Sequence, residues 1–195
     1  MSEQMTAEAK PLTTQMREYV SRQVGCLSVN TSIAKQNLAV LRRGVGKRPD
    51  EAPEAWGIVF ADAPAELYGQ GQFVSKAEEC VYLAMTLYAF ASTGLHTVYA
   101  KNVSICGALS KLGYQEDSVK KYFYRLMTSH SFQELSFHMK QIISLCKSHD
   151  IGLDYGLLAK EVFQWYVSPE SRKRVLRTWN QDFHRLNKES KKENK

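Results

Sequence analysis

Ser75-Lys76-Ala77-Glu78-Glu79-Cys80-Val81-Tyr82-Leu83-Ala84-Met85-Thr86-Leu87-Tyr88-Ala89-Phe90-Ala91 carries the clearest structural signal in this 195-residue chain. Ser75 and Glu78 have the spacing of a capping box, in which each side chain answers the other's first-turn backbone donor. Behind it, Ala77, Cys80, Val81, Ala84, Met85, Tyr88 and Ala91 recur with a helical period and leave a wide apolar face. So broad a face belongs to a helix surrounded by other helices. Thr86 interrupts the most apolar run, which is too short for a membrane span.

Working outward, the same period recurs on both sides. Pro11 to Val24 predicts a first helix, capped by Thr13 or Thr14 and ended by Gly25. Asn30, Thr31 or Ser32 caps a second, with Ala34, Leu38 and Leu41 as its stripe. That helix ends in Arg42-Arg43-Gly44-Val45-Gly46-Lys47-Arg48-Pro49. There Gly44 is expected at a positive φ and Pro49 blocks continuation. A short helical piece follows over 51–60, then a loop over 62–72. Beyond the central helix, His96 sits in a glycine-containing loop and reads as a surface residue. Val103 to Leu112 is a short helix stopped by Gly113, and Glu116 or Asp117 opens the next, with Val119, Tyr122, Phe123, Leu126 and Met127 inward. Ser131 and Glu134 form a second capping box ahead of Leu135, Met139, Ile142 and Cys146. Asp154 caps a helix that turns Leu157, Leu158, Val162 and Trp165 inward. Ser168-Pro169 starts the last one, where Arg172, Leu176, Trp179, Phe183 and Leu186 make the stripe. No run has the alternation of a strand. The chain is therefore all-α, a compact bundle of about eight or nine helices over 11–187. A loose leader (1–10) and a charged tail (188–195) flank it, and two sub-bundles would meet near 113–131 if the domain divides.

The formal charge is +6, from 26 basic and 20 acidic residues. Residues 1–97 hold 9 Lys or Arg and 10 Asp or Glu, whereas 98–195 hold 17 and 10. The excess lies in the second half and suits a polyanionic partner. Cys26, Cys80, Cys106 and Cys146 form no CxxC pair and read as buried thiols of a cytoplasmic protein. The polar, acidic start has no signal-peptide pattern.

No enzyme constellation emerges. His138 and Cys146 lie about 12 Å apart along one helix, too far for a nucleophile and its base. HExxH, P-loop and ligand-spaced His/Cys patterns are missing. Glu78 and Glu79 read as cap and surface charge, and Gly44-Val45-Gly46 lacks the strand and helix start of a nucleotide fingerprint. No cofactor or metal is expected.

Basic clusters are the better candidates. Arg42, Arg43, Lys47 and Arg48 crowd a helix end and its turn; Lys120, Lys121 and Arg125 share one helix side, which Lys111 can join in space. Arg172, Lys173, Arg174 and Arg177 occupy the first turns of the last helix, where cations oppose the dipole. Either acidic neighbours or a polyanion offset that cost. Lys173, Arg174 and Arg177 fit an outward side, while Arg172 lies nearer the apolar stripe and can snorkel. Each cluster reads as a phosphate contact or as a plain solvated face. No helix-turn-helix reading element accompanies them, so backbone contact is expected over sequence readout.

With these pieces in place, the chain resembles the CasB family, the small subunit of the type I-E CRISPR surveillance complex called Cascade. The resemblance rests on Ser32 to Pro49 with Leu41-Arg42-Arg43-Gly44, on Pro53 and Trp56, and on the apolar helix from Glu78 to Ala91. It continues through Ser104 to Leu112 and the stretch around Arg125. Near the end it takes in Leu153-Asp154-Tyr155, Leu158-Ala159, Trp165, and Arg177-Trp179-Asp182-Phe183. It covers about residues 15–186. From Ser129 to Ser136 this chain is polar where members are often richer in arginine. The resemblance implies a non-enzymatic helical subunit, present in two copies beside the backbone and large subunits of a complex carrying guide RNA. It implies a role in holding opened target DNA, the displaced strand above all, while guide pairing supplies sequence recognition. By position, Arg42 and Arg43, the bases around Lys121 and Arg125, and Arg172 to Arg177 become the DNA-facing sites. Trp56, Trp165 and Trp179 become packing residues. Two rival readings are a free-standing helical nucleic-acid-binding regulator and a pure protein scaffold.

Overall fold

The computed structural model describes residues 10–94, 98–113 and 116–193, with side chains through Arg185. Nine α-helices lie within them. They are α1 (Leu12–Ser28), α2 (Ser32–Arg43), α3 (Pro53–Phe60), α4 (Lys76–Ala91), α5 (Ile105–Ser110), α6 (Asp117–Met127), α7 (Phe132–Ser148), α8 (Tyr155–Val167) and α9 (Pro169–Glu193). Short 3-10 turns at Pro49–Glu51 and Ala65–Leu67 flank α3. The sole strand-like feature among the described residues is one parallel bridge, Tyr99 to Leu153. The leader through residue 9, His96 and residues 194–195 lie outside the described residues, as do the side chains from Leu186 onward, while the backbone of the charged tail continues α9 to Glu193.

α4 is the axis. The Ser75 hydroxyl accepts from the Glu78 N–H (3.2 Å) and the Glu78 carboxylate accepts from the Ser75 N–H (2.7 Å), so the capping box is closed. Every residue of the expected apolar face is buried, together with Tyr82, Leu87 and Ala89. α1, α2, α3, α7 and α8 all pack against this helix. α8 is the second hub, touching α1, α4 and α9, and α5 ties α9 to α6 and α7. One hydrophobic cluster runs from Met16 on α1 to Phe183 on α9. Each large side chain it buries contributes roughly 1.5–3 kcal/mol. Among the described residues, no helix is long and apolar enough to cross a membrane.

Several local expectations give way to the fold. α1 passes through Gly25 to Ser28, because Val24 and Leu27 beyond the expected end are both buried. A helical glycine costs only about 1 kcal/mol against alanine, and that burial offsets it. α1 starts after Pro11, with no side-chain cap from Thr13 or Thr14. Gly44 caps α2 at φ −83°, in the ordinary helical region, and the positive φ belongs to Gly46 at 82°. What Gly44 supplies is room: a Cβ there would lie 3.2 Å from the Ala55 Cβ and closer still to the Tyr82 hydroxyl. Ser131 caps α7 as expected, and the Glu134 carboxylate reaches back to accept from the His130 N–H (2.8 Å). The inner stripe of α9 is Ser171, Val175, Trp179 and Phe183, with Leu176 half-buried beside it. Cys26 is exposed, unlike the other three cysteines.

Candidate nucleic-acid interface

The turn after α2 is fixed to the central helix. The Tyr82 hydroxyl donates to the Gly44 carbonyl (3.1 Å), and the Lys47 N–H returns to that carbonyl (3.1 Å). Pro49 is buried beneath, and the Arg48 N–H donates to the Glu51 carboxylate at 2.9 Å. The cations carried here differ in freedom. Arg42 is half-buried and bends back to donate from Nε to the Leu38 carbonyl (2.9 Å). Arg43 is exposed and meets Glu54 at 3.4 Å. Arg48 meets Asp50 at 3.1 Å and stands 4.0 Å from Glu79, whereas Lys47 is exposed with no ion pair among the described residues. Glu79 is no surface charge: it is buried on α4 and faces Arg48.

On α6, Lys120 pairs with Asp117 (3.4 Å). Lys121 and Arg125 are exposed and make no ion pair among the described residues. At the start of α9, the Ser168 hydroxyl accepts from the Ser171 N–H (3.1 Å) and sets the helix direction. Arg172 is committed to packing, its guanidinium 3.9 Å from the centre of the Trp165 ring and its Nε donating to the Trp165 carbonyl (3.2 Å). Lys173, Arg174 and Arg177 project into solvent with no ion pair among the described residues. Arg174 shares an α8–α9 groove of about 320 Å³ with Lys160, Gln164 and Thr178. Trp165 and Trp179 are fully buried; Trp56 is partly buried, edge-on to Phe60.

The structure adds Lys140 and Lys147 to the basic residues expected from the sequence. Lys47, Arg48 and Lys140 line one groove of about 240 Å³ between the turn, α4 and α7, with Phe137, Gln133 and Ser136 on the α7 wall. Further along α7, Lys147 donates to the Thr93 hydroxyl, and Lys140 and Lys147 both hold their ammonium groups over the Phe90 ring, at 5.5 and 5.7 Å. The signal was available: 133, 137, 140 and 147 recur on the side of α7 opposite Leu135, Met139, Ile142 and Cys146. Lys121 and Arg125 line neither of these two grooves.

The titratable groups inside are built for packing. Burial raises the Cys80 and Cys106 thiols well above their ordinary range and pushes Cys146 up to about 12, so all three stay protonated and unreactive near neutrality. Glu161 is pushed up to about 7 by burial while its carboxylate accepts from the Trp179 indole N–H (2.7 Å). Asp154 ties three segments together. It caps α8 at the Leu157 N–H (2.9 Å), accepts from the Asn102 N–H (3.0 Å) and meets Arg17 of α1 (3.1 Å). Asp182, on α9, accepts from the Ser104 hydroxyl that caps α5. Among the described residues, no three His, Cys, Asp or Glu side chains gather as a metal site would require.

Residues 37–184 match the family model described as CRISPR-associated protein Cse2. The crystal structure of CasB from Thermobifida fusca is similar at 26% identity, covering 87% of this chain and 98% of that one, with a TM-score of 0.71. CasB from Thermus thermophilus shares the fold at 20% identity, with 88% and 97% covered and a TM-score of 0.66. So does a chain of a structure described as a CRISPR RNA-guided surveillance complex, at 20% identity, 95% and 100% covered, and a TM-score of 0.69. No curated protein sequence matches the chain with significance.

Proposed function

This chain belongs to the CRISPR-associated Cse2 family, and from that premise we propose that it is a non-catalytic subunit of a type I-E RNA-guided DNA surveillance complex. In this reading it works in the cytoplasm, alongside a second copy of itself and the backbone and large subunits that carry the guide RNA. Its task is to retain opened target DNA, chiefly the displaced strand, through cations that grip phosphates without reading bases. Lys47, Lys121, Arg125, Lys173, Arg174 and Arg177 are the contacts best placed for this, because each is exposed and free of ion pairs among the described residues. Arg43 and Arg48 can join once phosphate competes for their surface acids. Arg42, Lys120 and Arg172 are more committed to their own helix or neighbours.

One observation carries the reading. Lys173, Arg174 and Arg177 stand exposed together on the second and third turns of α9, where Lys173 and Arg177, four residues apart, repel each other. None of the three makes an ion pair among the described residues, and Glu170, four residues before Arg174, does not neutralise all three charges. An external polyanion would. The test is Arg174→Glu with Arg177→Glu in the complex assembled on guide RNA. The expected result is faster loss of opened DNA, a salt slope lower by about one per contact removed, and unchanged guide-RNA content. Unchanged DNA dissociation would overturn the assignment.

A further inference from the structure

We propose that the groove between the 45–49 turn, α4 and α7 is a stacking station for one unpaired base of the displaced strand. Phe137 takes the base, and Lys140 on one wall with Lys47 and Arg48 on the other take the flanking phosphates. The inference rests on the reading of this chain as a holder of opened DNA. It narrows that reading to a location and a second kind of grip.

Four observations converge. Phe137 is 58% exposed, a large ring placed in the wall of a concavity instead of in the core, with the His138 ring edge-on at 5.5 Å. The floor beneath it is formed by Tyr82, Leu83 and Leu87 of α4, so a flat apolar guest meets apolar surface on more than one side. A volume of about 240 Å³ is below the usual range for drug-sized ligands. It suits a single ring system better than the several anchors of a docked helix. Its two walls carry cations, Lys47 and Arg48 (paired with Asp50 at 3.1 Å) on the turn and Lys140 (its ammonium over Phe90) on α7, and its one acid, Glu79, is buried and turned toward Arg48 (4.0 Å). That charge pattern favours an anion repeating at short intervals. A strand leaving Phe137 along α7 would meet Lys147 about 10 Å past Lys140, at the helical rise.

Aromatic rings interleaved with cations hold single strands with little sequence preference, since every base offers a π-face. Gln133 can bond base edges without imposing a choice, because an amide both donates and accepts, while the Ser136 hydroxyl, which donates to the Phe132 carbonyl (2.7 Å), can accept. The target strand is paired with guide RNA and its bases are occupied, so the displaced strand is the source of a free base.

The test uses the assembled complex and target DNA carrying 2-aminopurine at successive positions of the displaced strand. Wild type is expected to quench the fluorophore at one position or a short run of them. Phe137→Leu should restore fluorescence there and speed release of the displaced strand roughly tenfold; Phe137→Trp should keep the quench. Lys140→Gln should weaken retention and lower the salt slope. Circular dichroism of each variant checks the fold, which an exposed side chain leaves intact. A quench that Phe137→Leu does not change overturns the stacking site. If the Arg174/Arg177 reversal still accelerates DNA loss in that event, the DNA-holding reading survives alone; if it does not, both fall. A photo-crosslinker at position 137 that captures a protein subunit instead of DNA also overturns the proposal, by assigning the groove to a protein partner.

Discussion

Glu161 is a carboxyl group whose burial changes what pH does to the molecule. In the fold it titrates at about 7, raised by desolvation, against about 4.3 in an unfolded chain. The folded state therefore binds the extra proton between those values. The associated stability is fully present below the unfolded pKa, fades as pH climbs to about 7 and is gone above it, a swing of at most about 4 kcal/mol. Glu161→Gln keeps an oxygen for the Trp179 N–H and removes the titration. The variant should melt above wild type at pH 8, and the gap should close by about pH 4.5 in thermal melts across that range. A gap that does not vary with pH would refute the assignment. This buried acid was legible in principle, since Glu161 stands three residues after Leu158 and four before Trp165, on the inner face of α8; beside Lys160 it looks like surface charge. Gly44 was only half legible. Its place at the end of α2 could be read, but its reason could not, because the atom that needs the space belongs to Tyr82, 38 positions away.

The helices themselves were announced by period and caps: Thr31, Ser75, Ser131, Asp154 and Ser168 each accept the first-turn bond their position suggested. Which helix packs on which was not, because a stripe states that a face is covered and not by what. The α1–α8 pair makes the point. These two helices make the most extensive contact in the fold, and they do so at Gly156, where a Cβ would lie 2.6 Å from the Arg17 carbonyl and closer still to the Ser21 hydroxyl. Gly156→Ala has to push α1 away from α8 and should cost roughly 1–3 kcal/mol. Gly25→Ala, on the open side of α1 with nothing within 4 Å, should stabilise by up to about 1 kcal/mol. Urea titrations of the two variants check the pair of signs. Equal effects would mean that the helix interface is looser than described.

At the scale of the whole molecule, the hydrophobic cluster reaches from α1 to α9, and Asp154 and Asp182 tie α8 and α9 to residues 102–107. Unfolding should be one cooperative event, with tryptophan fluorescence and far-ultraviolet circular dichroism giving the same midpoint. Separated midpoints would show two units, with 113–131 as the place to look for the seam between them. The basic excess of the second half was read from composition alone, but composition could not assign its members. Arg172 faces a tryptophan, while Lys140, unread, lines one groove with Lys47 and Arg48. The cations at the head of α9 also bear on how this protein can be engineered. Lys173 and Arg177 are like charges four residues apart on one helix face, so a stabilisation programme ranking variants by melting temperature would exchange one of them for an acid and score the exchange as progress. On the proposed DNA-holding role, the sturdiest isolated chain would then be the one least able to do that work inside an assembly, and selection for robustness would have to leave these positions out.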